Sequence, residues 1–185
     1  MIHTINLNES NKYLCMSIKK VIPNCVISGN YSVVSFKAQM VRTFVPGSAS
    51  YSFSLLLIYS IGLQLREMIT KYKVVPITID PENILIINGS IFIFTCKARH
   101  LYRIDEREHI TFLSPFYTNN LSAPELLSCK ELPLSINYRF IYYTLGILAI
   151  SALGCDIKSV KGTKLYYTIM RCINPDIDNR CLLFI

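Results

Sequence analysis

The spacing of hydrophobic positions changes at about residue 51, from short alternating runs to a recurrence every three or four residues. Before that point Tyr31-Ser32-Val33-Val34-Ser35-Phe36 partly alternates, as a half-buried strand does, after the turn residues Ser28-Gly29-Asn30. Pro46-Gly47-Ser48 breaks the chain. Beyond it Leu55, Ile58, Tyr59, Gly62 and Leu65 predict a helix from Tyr51 to about Lys71. The pattern divides the sequence into a short β-prone segment, residues 1–50, and a larger body, residues 51–185.

Pro76 ends the helical possibility, and the loop Ile77-Thr78-Ile79-Asp80-Pro81-Glu82-Asn83 runs into the apolar Ile84-Leu85-Ile86-Ile87. Asn88-Gly89 is a strong hairpin signal, with Ile91-Phe92-Ile93-Phe94 as the return strand. A charged, irregular stretch from Lys97 to Glu108 and a loop with Pro and Asn follow. Glu125 to Leu127 reads as the start or cap of a short helix. Tyr138 to Leu153 is the most hydrophobic helix, with Gly154 placed to cap it. Short helices are predicted at Lys164–Met170 and Asn179–Ile185, on either side of Asn174-Pro175-Asp176. The expected class is mostly α with small β-hairpins.

Composition narrows the possibilities. With 51% hydrophobic and 17% charged residues the 185-residue chain has the makings of a folded body. Its net charge of +7 suits acidic partners, but the cations are dispersed as a solvated surface would have them. Nucleic-acid binding is not expected, since basic and aromatic residues are not interleaved. The seven cysteines are far apart, without a CxxC pair, and the three histidines form no zinc pattern with them. Free thiols, and no basic-then-apolar leader, point to a reducing, cytoplasmic setting. Ser50–Leu65 and Ile141–Cys155 are both shorter than the about 20 residues that span a bilayer. The second is flanked by Tyr138, Arg139, Asp156 and Lys158; a buried core helix is the favoured reading, and a membrane anchor through 141–155 is the alternative.

Four fragments stand in a fixed order: Pro81-Glu82-Asn83-Ile84-Leu85, Ala123-Pro124-Glu125, Leu145-Gly146 and Arg180. Together they resemble the C-terminal lobe of a eukaryotic-type Ser/Thr protein kinase, from about Tyr51 to Ile185. That family's catalytic loop reads H-R-D-L-x-x-x-N, its Asp accepting the substrate hydroxyl proton and its Asn holding a metal ion. The resemblance places Pro76 at the His, Ile77 at the Arg, Thr78 at the catalytic Asp, Asp80 at the loop Lys and Asn83 at the Asn. Thr95-Cys96-Lys97 stands where the family has Asp-Phe-Gly, so Thr95 occupies the position of the magnesium-binding Asp and Lys97 that of the Gly. Neither the glycine-rich strand pair nor the V-A-I-K lysine of the N-terminal lobe is present. Ile18-Lys19-Lys20-Val21 offers only a lysine on a β-prone piece.

Other positions keep the family's structural pattern. The resemblance implies an ion pair between Glu125 and Arg180, Tyr143 at a position often held by Trp, and Ile141 in place of an Asp that braces the catalytic loop. The short interval from Gly154 to Lys164 implies a trimmed or absent substrate-docking helix. It also implies a catalytically inactive pseudokinase, with no cofactor, acting by protein binding as a decoy, inhibitor or scaffold for a kinase or kinase substrate. Compact kinase relatives without an N-terminal lobe are known among proteins of large DNA viruses, and the Ile- and Asn-rich composition would suit an AT-rich genome. The alternative is a divergent active kinase using ATP and Mg²⁺, with Asp80 shifted into the role of base. A lobe without its partner lobe would expose apolar surface near Val74-Val75, Ile79, Ile84, Phe92 and Phe94, residues that read equally well as core.

Overall fold

The computed structural model describes residues 1–7, 9–47 and 50–182. Strand β1 (Ile2–Asn6) leads into helix α1 (Lys12–Val21), and β2 (Val26–Ser28) and β3 (Val33–Lys37) complete an antiparallel sheet of order β1-β3-β2. The β2–β3 turn uses left-handed backbone at Gly29, Asn30 and Tyr31, a conformation that Gly adopts freely and Asn tolerates. Ile18-Lys19-Lys20-Val21 is not a strand but the last turn of α1. The reason is visible in the spacing: Leu14, Cys15 and Ile18 share a buried face, and Lys19 and Lys20 project outward. Asn11 caps the helix by accepting the Leu14 N–H at 3.0 Å.

Strand β4 (Val41–Thr43) precedes helix α2 (Tyr51–Tyr72), which Ser50 caps and which ends at Lys73 in left-handed conformation. Then come β5 (Val74–Pro76), β6 (Ile84–Ile87), β7 (Ile91–Phe94), β8 (Leu101–Arg103) and β9 (His109–Phe112). The chain closes with α3 (Pro124–Leu127), β10 (Leu134–Asn137), α4 (Phe140–Leu153) and α5 (Lys164–Cys172). β4 joins the β6–β7 hairpin, β5 pairs with β8 and β9 with β10, all antiparallel. Asn88 and Gly89 both have positive φ (51° and 74°), the geometry of a type I′ turn. The Asn88 Oδ1 accepts the N–H groups of Gln39 (2.9 Å) and Met40 (3.1 Å), and its own N–H donates to the Met40 carbonyl at 2.9 Å.

The fold is therefore mixed α/β and not mostly α: 40% helix and 21% strand, with five α-helices and several small sheets among the described residues. The strands that overturn the mostly α expectation are three to five residues long, too short to carry visible alternation. β8 lies inside the stretch read as irregular, and it is ordered by pairing with β5, twenty-seven residues away at Val75↔Tyr102. At the C-terminus, Ile177–Asn179 make a single 3₁₀ turn and Arg180 is extended, so the predicted helix does not begin at Asn179. Residues 183–185 of that expectation lie outside the described residues. Between Gly154 and Lys164 there is one 3₁₀ turn, Ile157–Val160.

α2 runs through the middle of the molecule, packed against α1, α4 and β7. Val74, Val75, Ile79, Ile84, Phe92 and Phe94 are at most 3% exposed, so the apolar surface expected near them is core. α1 packs against α2 and β7 and provides that cover. α4 is apolar around most of its circumference because no residue of it is exposed, with Phe140, Ile141, Leu145, Leu148, Ala149 and Ala152 fully enclosed. Its 14 residues are too few to cross a bilayer as a straight helix. Among the described residues α2 alone is long and apolar enough to do so, and 56% of that stretch is buried inside the fold.

Gly146 sets how closely α4 and the end of α5 approach. A Cβ there would lie 2.5 Å from Ile173 Cγ2 and 3.0 Å from Cys172 Cβ, and neither is the far end of a flexible side chain. Gly146→Ala is expected to destabilise the fold by about 1–3 kcal/mol, the usual cost of overpacking. Urea unfolding measures it, and an unchanged midpoint would refute this close packing.

Candidate functional site

The loop between β5 and β6, the residues after β7 and the segment 117–122 meet in one polar cluster. Asn119 is its hub. Its Oδ1 accepts from Thr78 Oγ1 at 3.1 Å, and its Nδ2 donates to Asp80 Oδ1. Asp80 Oδ1 also accepts from the Tyr117 hydroxyl at 3.2 Å, and Oδ2 accepts from Asn83 Nδ2 at 3.4 Å. Asn119 is itself fixed, its N–H donating to Ser122 Oγ (3.0 Å) and its Oδ1 accepting the Leu121 N–H (3.0 Å). The Asn83 carbonyl in turn accepts the Thr95 N–H (2.9 Å) and hydroxyl (3.3 Å).

Pro81 at the first position of a 3₁₀ turn, Pro81–Asn83, starts the geometry that turns Asn83 back toward Asp80. Next to this cluster is a cavity of about 210 Å³, lined by Asn83, Thr95 and Lys97 on one side and by Asn6, Leu7 and Glu9 on the other. The structure thus gathers Thr78, Asp80, Asn83, Thr95 and Lys97 in one neighbourhood. Lys19 and Lys20 do not line this cavity; both are exposed at the end of α1.

The chemistry available there is limited by these bonds. The Thr78 hydroxyl is no base near neutral pH and is engaged as a donor. Asp80 has both oxygens occupied by neutral donors. Burial pushes the Cys96 thiol up to about 12, with Asp80 adding to the effect, so it stays protonated and poorly nucleophilic. His100 stacks flat on Tyr117, 5.2 Å between centroids. Its pKa is lowered first by burial and then by Arg99 and Lys97, against the smaller opposing pull of Asp80 and Glu9, which favours the neutral ring.

An octahedral Mg²⁺ site fits this donor set poorly. Such sites are built on carboxylates and substrate phosphates. Here Asn83 supplies an amide, Thr95 a hydroxyl and Lys97 an ammonium, the Asp80 carboxylate is taken up by Asn83, Tyr117 and Asn119, and Glu9 is the one carboxylate among the residues lining the cavity. Among the described residues no group of three or more His, Cys, Asp or Glu side chains is placed to hold a metal.

Glu125 and Arg180 meet elsewhere. Arg180 Nη1 and Nη2 donate to the two Glu125 oxygens, the second at 3.1 Å, in the forked geometry that a guanidinium and a carboxylate share. Arg180 Nε donates to the Asn174 carbonyl at 2.7 Å, and the guanidinium lies over the Tyr143 ring at 5.1 Å. Its side chain is 1% exposed and that of Glu125 25%. One buried cation thus connects α3, α4 and the segment after α5. This group holds architecture together and touches no cavity of the polar cluster.

Three residues that matter here were not singled out by sequence reasoning: Tyr117, Asn119 and Gln64. The first two lie in a polar loop with no periodicity, and their importance comes from partners about forty positions away. Gln64 is fully buried on α2, where its amide donates to the Phe94 carbonyl (2.8 Å) and accepts the Phe94 N–H (3.0 Å). A long polar side chain in the middle of a largely apolar helix was the available signal. No protein-family model matches the chain, and no curated protein matches it.

Proposed function

We propose that this chain is a catalytically inactive, degenerate relative of the protein kinases that acts by binding protein, as a decoy, inhibitor or scaffold for a kinase or a kinase substrate. The observation that carries the reading is the Asn119 hub. In the positions where a kinase places its base and phosphate-binding groups, Thr78 and Asp80 are tied to each other through a neutral amide. Asn119 takes over the bracing of the loop that Ile141, a fully buried core residue, cannot supply. The forked Glu125–Arg180 pair adds support, because it is the architectural contact that the resemblance implies. All seven cysteines are free thiols, which favours a reducing, cytoplasmic setting.

A thermal melt with Mg-ATP tests the inactive reading. Ligand at ~100 times its dissociation constant stabilises a protein by about 2.7 kcal/mol. In a chain of this size that would raise the melting temperature by about 5 °C or more. The expected result is no shift and no phosphate transfer to a generic protein substrate. A shift that disappears in Asn83→Ala would favour the divergent active kinase.

A further inference from the structure

A groove of about 770 Å³ lies between the end of α1, the outer part of the β1-β3-β2 sheet and the β6–β7 hairpin. Val21, Ile22, Val26, Ile2 and Ile91 give it an apolar lining, with Lys37 at its side. In the sheet Ile2 stands opposite Lys37 and Val26 opposite Ser35, so all four side chains share the outer face. Ile2 is 67% exposed and Val26 64%, and both border the groove. Among the described residues β2 pairs only with β3, leaving its outer edge open beside Val26.

Charge says what kind of partner would suit this surface. Residues 1–50 carry five cations, Lys12, Lys19, Lys20, Lys37 and Arg42, against one carboxylate, Glu9. Lys37 lines the groove, and Lys19 and Lys20 are exposed directly before Val21. Glu9 borders the separate cavity beside Asn83. The groove is therefore mainly apolar, with Lys37 as its one charged lining residue and the exposed Lys19 and Lys20 adjoining Val21 in the chain.

We propose that this groove binds an extended acidic segment of a partner protein, which lies along the β2 edge and places an apolar side chain between Val26 and Val21. Backbone pairing with an open strand edge supplies affinity, and the groove and the lysines supply selectivity. The proposal rests on the reading of the chain as a protein-binding module.

Panning of a phage-displayed random-peptide library on the full chain tests it. The expected selection is acidic peptides carrying an apolar residue, with affinity that falls as salt is raised. Val26→Glu, and separately Lys37→Glu combined with Lys19→Glu, should each weaken the selected peptides by about tenfold or more while the melting temperature holds. All three positions are exposed, and the reversed-charge chain should select basic peptides in its turn. The proposal is overturned if nothing is selected, if the selected peptides are neutral or basic, or if those substitutions leave affinity unchanged. It is also overturned if the chain binds phosphatidylserine vesicles through these residues and no peptide. Nucleotide plays no part in this readout, so its failure would leave the Mg-ATP test of the inactive reading standing.

Discussion

Arg180→Ala should cost about 3–5 kcal/mol of stability, the range for breaking a buried ion pair from one side. Three losses combine. The Glu125 carboxylate keeps its partly buried place without its two guanidinium bonds, the Asn174 carbonyl loses its donor, and the face of Tyr143 loses its cation. Urea unfolding gives the size of the effect, and thermal melting should fall by about 10 °C in a chain of this length. Arg180→Lys should recover only part, because one ammonium cannot fork onto both carboxylate oxygens and also reach Asn174. A double-mutant cycle with Glu125→Ala separates the pair from the packing. Simple additivity of the two substitutions would show that the contact contributes nothing as a pair.

Gln64→Leu is expected to cost about 2–6 kcal/mol, since it strands two buried backbone groups of Phe94 at about 1–3 kcal/mol each. Leucine nearly preserves the volume, so the loss reports hydrogen bonding more than a cavity. The position explains the size. β7 is the outer strand of its sheet, and at Phe94 it faces α2, where Gln64 acts as the missing strand partner. Hydrogen exchange gives the specific readout: the Phe94 amide should lose protection more than the neighbouring ladder amides. If Phe94 exchanges as before, Gln64 is not its partner.

These two residues also mark where the sequence was legible. α2, α4 and the β6–β7 hairpin could be read in advance because their signals are local: a three-four recurrence, a continuous apolar run closed by Gly154, and Asn88-Gly89 between two apolar tetrads. α1 was hidden because only ten residues carry its period, and its apolar face includes Cys15 and Ser17 beside Leu14 and Ile18. The small sheets were missed for another reason. Strands of three residues form because a distant partner fixes them, as Leu101–Arg103 is fixed by Val74–Pro76, and nothing in their own composition announces it.

The candidate site divides in the same way. Thr78, Asp80, Asn83, Thr95 and Lys97 were found through an ordered resemblance, and the chain does bring them together. Asn119 and Tyr117 escaped because an asparagine in a loop is most often turn chemistry. Its distinction here is an amide whose two ends meet a hydroxyl and a carboxylate from another loop. Such a role follows from where the chain passes in space, and short-range pattern does not contain it.

Asn88 shapes the turn of the central hairpin and holds the backbone of Gln39 and Met40 through three hydrogen bonds. The turn that closes the hairpin therefore also fixes a segment nearly fifty residues earlier in the chain. A chain that began at Tyr51 would lose the strand that pairs with β6 and the helix that covers Phe92 and Phe94, so the first fifty residues are no detachable accessory. Expressed as residues 1–46 and 47–185, the two pieces are expected to associate through these contacts, and a second piece that melts as the whole chain does would refute that dependence.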